Sequence, residues 1–297
     1  MSAYAPHDRY IAPARRHPEL WRLLAGCVLL FAVYLGTILG AAFAIERLLP
    51  RATAGIFLDG LQTARGVGPT LVLLGTFVGM AGGAMAAAWI MHRRSPWSLF
   101  GDAASLAHHG GRMLILAVAV AAITVPLALI TLNTDPNLPI GQWALLLPLT
   151  LPLIALQTGA EELAFRGYLQ QQLAARFAQT AVWLILPGAI FAAAHMDPAT
   201  QGANMWPILA VTFGFALVAA DLTARTGSLG AAWALHFVNN VQAILLIAIP
   251  GPLSALSLRH LQMTSSDPAL MPFIILDLAV LGAIWLIYVR RVLPRAA

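Results

Sequence analysis

Apolar runs of about twenty residues recur along this chain, and they leave it very few folds to adopt. Leu23 to Ala44 holds no charged residue at all, and a stretch of that length is what a helix needs to cross the hydrocarbon of a bilayer. Comparable runs lie at 21–44, 68–91, 112–132, 143–162, 180–196, 206–222, 228–249 and 269–289, of which the fifth and sixth are short for a crossing. Charged residues make up only 10% of the chain and the mean hydropathy is +0.79, whereas soluble domains carry about a quarter charged residues. The expected fold class is therefore all-α: a polytopic transmembrane helical bundle of about eight spans, forming a single integral membrane domain over 1–297.

The arginines orient such a bundle. Alternating sides along the chain puts Arg9, Arg15, Arg16, Arg22, Arg93, Arg94, Arg112, Arg166, Arg176, Arg225, Arg290, Arg291 and Arg295 on one face. Arg47, Arg51, Arg65 and Arg259 fall on the other, a split of 13 against 4. Positive loops stay inside, so both termini are expected in the cytoplasm, with 1–20 a cytoplasmic N-terminal segment. The segment 92–111 reads as a cytoplasmic loop, with an interfacial helix within it as an option. Trp21, Trp89, Trp143, Trp206 and Trp285 fall near span ends, as an aromatic belt requires.

Other classes are excluded or lack support. Cys27 is the only cysteine, so no intrachain disulfide and no thiolate cluster is possible. No basic run interleaved with aromatics suggests nucleic-acid binding; the bilayer is the expected partner surface. The first apolar run exceeds the roughly 7–15 residues of a signal h-region and is expected to be retained as a span. Gly36-x3-Gly40 and Gly75-x3-Gly79 fit close helix packing.

Against this background the polar residues inside spans stand out, because an ionised group at mid-bilayer costs roughly 2.5–3.5 kcal/mol on insertion scales. Three groups do so. In the first, "EELAFR", Glu162 and Arg166 are four apart and share a helix face. Glu161 is turned about 100° away and left freer. Adjacent carboxylates repel, which favours a proton on one of them, the property of a general base. A plainer reading is that the two glutamates cap the cytoplasmic end of the span, with Arg166 as partner. The second is "FAAAH", Phe191 to His195. The third is "HFVNN", where His236 and Asn240 share a face and Asn239 points elsewhere. Each of the last two is also explained as inter-helix packing or hydrogen bonding.

Their depths agree, however. If the chain turns near Ala178, Glu161 and His195 each stand 17 residues from the turn, about 25 Å of helix. An antiparallel hairpin then sets them at one level. His236 lies eight residues beyond Ser228, about 12 Å into the inner half of its own span. The loop after His195 then begins before its helix has crossed, so it re-enters or lines a wet cavity.

Glu161-Glu162-x3-Arg166, Phe191-x3-His195 and His236-x3-Asn240, in this order, resemble the CAAX-protease and bacteriocin-processing (CPBP) intramembrane proteases. These are also described as type II CAAX prenyl endopeptidases or lysostaphin-resistance-protein-like proteins. The resemblance covers a catalytic core at 140–245. It implies an intramembrane endopeptidase that hydrolyses prenylated (CAAX-type) or other membrane-associated or lipidated peptides with glutamate-activated water. On that pattern Glu161 is the general base, aided by His195. Glu162 is a second essential carboxylate oriented by Arg166, and His236 and Asn240 complete the water site or stabilise the oxyanion. Phe191 is a packing residue.

Two histidines with one or two glutamates also suit a zinc site with an open position. The family has been described both as metal-dependent and as glutamate-dependent. The chain has no H-E-x-x-H zinc signature, so a metal-free site is expected, with zinc on Glu161, His195 and His236 the alternative. A rival function is a non-catalytic membrane scaffold or bacteriocin-immunity protein that binds a peptide in the same pocket. A transporter would show paired interrupted spans in its two halves, and none is evident. The arginine-only basic set and short loops suit a bacterial inner (plasma) membrane.

Overall fold

The computed structural model describes residues 3–293; Arg295, counted above with the majority face, lies outside them. A chain this poor in charge must satisfy its backbone hydrogen bonds internally, and here helices do so. They are α1 (Ala5–Ile11), α2 (Leu20–Leu48), α3 (Arg51–Thr63), α4 (Val67–Ala86), α5 (Ala103–Thr131) and α6 (Ile140–Glu162). These are followed by α7 (Gln171–Ala174), α8 (Thr180–Ala193), α9 (Pro198–Gln201), α10 (Met205–Thr226), α11 (Gly230–Val241) and α12 (Met271–Ile287).

Among the described residues six segments are long and apolar enough to cross a membrane: Leu20–Leu48, Val67–Met91, Ala103–Thr131, Ile140–Ala174, Pro198–Thr226 and Pro268–Val292. The other two expected spans are α8, of 14 residues, and α11, of 12, which continues in a wide π turn through Leu246. At 1.5 Å per residue α8 rises only about 21 Å, short of the roughly 30 Å hydrocarbon layer. The sixth run is longer than expected. Asp221 and Arg225 pair at 2.6 Å within α10, so two charges that look like a helix end are absorbed into its last turns.

The segment 92–111 is only half a loop. Asp102 accepts a hydrogen bond from the Ser105 N–H at 2.9 Å, and this N-cap starts α5 nine residues before the expected span. The amphipathic α3 and three short strands were not foreseen. Strands β1 (Thr134–Pro136), β2 (Ile247–Ala248) and β3 (Arg259–Leu261) form a sheet in the order β1-β3-β2, antiparallel then parallel. Arg259 donates to the Thr134 carbonyl at 2.7 Å, so this arginine is part of the sheet.

Loops of like parity meet. At one end, Tyr4 donates to Asp221 at 2.6 Å, Tyr10 to the Leu99 carbonyl at 2.6 Å and Arg112 to the Val292 carbonyl at 3.2 Å. At the other, Leu253 N–H bonds the Ala64 carbonyl, Gln262 N–H the Asn133 carbonyl, and Asn204 the Ser265 carbonyl. Both described chain ends therefore lie at one end of the bundle. His92, also at that end, is lowered by burial to about 4 and so is neutral at ordinary pH.

Close packing uses only one of the expected glycines, Gly79, joined by Gly83. Gly36 and Gly40 face open space, while a Cβ on Gly83 of α4 would lie 2.8 Å from the Leu30 carbonyl oxygen of α2. The working pair is Gly79 and Gly83. Trp21, Trp89 and Trp206 are exposed on the apolar surface, as a belt requires. Trp143 and Trp285 instead turn inward, donating to the Leu245 carbonyl and to Asp221 at 2.7 Å each. Cys27 is half-buried and unpaired.

Candidate active site

The end of α6 brings the two glutamates into the bundle. Pro148 and Pro152 interrupt the hydrogen-bond ladder of this helix. Gly159, two residues before Glu161, leaves room for the indole of Trp233; a Cβ there would lie 2.8 Å from the ring. The Trp233 indole N–H reaches the Ala155 carbonyl at 3.1 Å, which fixes the register of α11 on α6. Immediately after Glu162 the backbone widens into a π-helical stretch, Leu163–Gln170, and π turns concentrate at functional sites. A second π stretch, Gln242–Leu246, begins just after Asn240.

Glu162 is fully buried and Arg166 nearly so, and they pair at 3.0 Å. The guanidinium also donates to the Ala216 carbonyl at 3.3 Å and lies 4.7 Å from the Phe191 ring centre. His236 comes in from α11 and touches both carboxylates. Its Nδ1 is 2.8 Å from Glu162 Oε1, and its Nε2 is 3.4 Å from Glu161 Oε2. Because Nδ1 faces a carboxylate, it carries the proton.

Glu161 accepts a hydrogen bond from Gln157 Nε2 at 2.8 Å, and Gln157 Oε1 accepts one from Asn240 Nδ2 at 2.8 Å. Glu161 is thus held by a chain of amides on one side and an imidazole on the other. Its Oε2 is buried and makes no hydrogen bond among the described residues.

His195 sits just past the end of α8. Its Nδ1 lies 2.8 Å from the Phe191 carbonyl, which keeps that nitrogen protonated and leaves Nε2 as the free acceptor. Gln201 donates to the His195 carbonyl at 2.9 Å, so α9 holds the turn in place. His195 makes no hydrogen bond or ion pair to Glu161 among the described residues. Its ring packs on Phe191 at 4.5 Å, and Phe191 in turn lies 6.1 Å from the His236 ring. Phe191 therefore does more than fill space: it is the plate that spaces Arg166, His195 and His236.

A chamber of about 580 Å³ opens over this arrangement, with His195, His236 and Asn240 on its wall together with Asp197, Thr200 and Gln201. The turn after His195 lines a cavity, as the short α8 requires. Hydrogen bonds from the Thr200 hydroxyl and N–H hold the Asp197 carboxyl below its usual range, so Asp197 presents a fixed negative charge. Asn239, expected to point elsewhere, also lines the chamber and lies 3.4 Å from Asn240 Oδ1.

Residues 142–242 match the family model described as Rce1-like, type II CAAX prenyl endopeptidase. This stretch is an Rce1-like domain. Comparison with curated proteins and with solved structures finds no match. The matched stretch contains Glu161, Glu162, Arg166, His195, His236 and Asn240. The family supports a CAAX-type intramembrane protease in general.

Two members of the arrangement were missed in the sequence, Gln157 and Asn239. Gln157 stands one helical turn before Glu161, and that i,i+4 spacing was the signal. Among the described residues no group of three or more His, Cys, Asp or Glu side chains is placed to hold a metal ion.

Proposed function

We propose that this protein is an intramembrane endopeptidase that cleaves a prenylated or other membrane-associated peptide by direct attack of water. The observation that carries this reading is the imidazole of His236 spanning the two buried carboxylates. It ties Glu162 to a structural pair with Arg166 and leaves Glu161 as the carboxylate able to exchange a proton. Glu161 acts as general base on a water at the chamber floor, with the free Nε2 of His195 as second acceptor. Asn240 and Asn239 supply amide N–H groups for the oxyanion, a contribution that can match that of the base. The proton taken from water by Glu161 passes from Glu161 to the leaving amine.

The bundle is oriented with both termini in the cytoplasm and eight helices in the membrane, α8 and α11 being the short ones. Two features support this: the 13-to-4 arginine split, and the grouping of alternate loops at opposite ends of the fold. The short loops and arginine-only basic set suit a bacterial inner membrane. The substrate enters as a membrane-anchored peptide.

Purified protein in detergent, given a quenched farnesylated CAAX peptide and a panel of membrane peptides, tests the proposal. Wild type should cleave at least one of them. His195→Ala should lower kcat/KM by about 10²-fold, within the span of a lost acid–base partner. No cleavage of any peptide by wild type would favour a binding scaffold, and full activity in His195→Ala would remove that residue from the site.

A further inference from the structure

The catalytic chamber does not stand alone. A second cavity, of about 390 Å³, lies between α5, α11 and α12 and is walled mostly by aliphatic side chains such as Val120, Leu235 and Leu246. The two cavities share Phe215, Asn239, Phe273, Asp277 and Leu281. Asp277 therefore stands at the junction between the chamber that holds His195 and His236 and its apolar neighbour.

This carboxylate is hard to explain structurally. It is the seventh residue of α12, in the middle of the apolar segment Pro268–Val292, where an acid costs roughly 2.5–3.5 kcal/mol on insertion scales. Among the described residues no hydrogen bond or ion pair reaches it. Ile275, Leu276 and Leu278 beside it are exposed apolar residues, so it is not the end of a polar patch. An unpaired acid at this depth that faces a cavity marks a functional position.

The charges on the walls indicate what it meets. Among the described residues no arginine lines either cavity, and the carboxylates there are Asp277 and Asp197. Glu161 does not line the chamber but stands behind His236, 3.4 Å from its Nε2, while Glu162 is already paired with Arg166. A peptide with its cleaved bond over Glu161 and an apolar portion in the second cavity must pass Asp277 with one of its side chains. Asp277 is itself exposed where it lines those cavities, and a positive group beside its unpaired carboxylate is favoured over a neutral or negative one.

We propose that Asp277 is a specificity-determining residue, selecting peptides that carry a basic side chain close to the cleaved bond. The inference rests on the protease reading, which it sharpens by naming the substrate's charge.

The test uses the purified full chain and matched peptides in which each position within four residues of the cleaved bond is in turn lysine, norleucine or glutamate. The readout is the lysine-to-norleucine ratio of kcat/KM within each enzyme. Wild type should show a ratio of about tenfold at one position, with glutamate disfavoured there. In Asp277→Asn and in Asp277→Ser that ratio should fall to near one. Equal rates for lysine and norleucine at every position in wild type would overturn the proposal and leave the protease reading intact. So would a ratio that survives both substitutions. If wild type cleaves none of the peptides, the protease reading fails and this inference falls with it.

Discussion

Glu161→Gln should lower kcat by about 10²–10⁴-fold, the range a general base supplies, with no change in Tm. The substitution is nearly isosteric. The new amide oxygen still accepts the hydrogen bond that Gln157 gives Glu161 at 2.8 Å, and its NH2 can face His236 Nε2, which lies 3.4 Å from the present Oε2. What is lost is the ability to take a proton from water. Because Glu161 is not the partner of Arg166, no buried cation is stranded and the fold should not suffer. A kcat close to wild type would mean that another group takes the proton. A large fall in Tm would mean that Glu161 is structural.

Glu162→Gln should behave differently, costing about 3–5 kcal/mol of stability, the usual penalty for stranding one half of a buried pair. Arg166 is 2% exposed, and its carboxylate partner at 3.0 Å is Glu162. Neither the aromatic faces of Phe191 and Phe215 nor the Ala216 carbonyl replaces that full charge. Activity should fall as well, since Glu162 also orients His236 through the 2.8 Å contact to Nδ1. The double variant Glu162→Gln/Arg166→Met should regain much of the stability, because neutral packing often substitutes for a buried ion pair, yet it should stay inactive. Denaturation of the detergent-solubilised proteins checks both statements. A double variant no more stable than Glu162→Gln would show that Arg166 matters through its packing rather than its charge.

The contrast between the two glutamates was partly legible in the sequence. The i,i+4 spacing of Glu162 and Arg166 made their pairing a local matter, and helix geometry alone left Glu161 to one side. The turn of the hairpin was legible too: Arg166 and Phe191 stand 12 and 13 residues from Ala178 and meet across it, the guanidinium 4.7 Å from the ring centre, whereas no contact joins Glu161 and His195 among the described residues. Contacts between distant helices were not legible. Which histidine bridges the carboxylates depends on how α11 seats against Gly159 and Trp233, and no periodicity encodes that. His236 occupies the position beside Glu161 that the resemblance suggested for His195.

Element ends were the least legible. Polar residues such as Ser105 and His109 look like a loop until Asp102 is seen as a cap, and the Asp221–Arg225 pair hides a helix continuing. The pairing of loops into a three-stranded sheet joins residues more than a hundred positions apart, which a span-by-span reading has no means to see. Asp277 was overlooked because a single acid in an otherwise ordinary span becomes telling only once it is seen to face a cavity without a partner.

Cleavage in ¹⁸O-labelled water during a single turnover is the most direct measurement of how this site works. If Glu161 activates water, one ¹⁸O atom should appear in the new carboxyl group of the product and none in Glu161. Label in the Glu161 carboxylate, with an unlabelled product, would contradict that mechanism and show that the glutamate itself attacks the peptide bond.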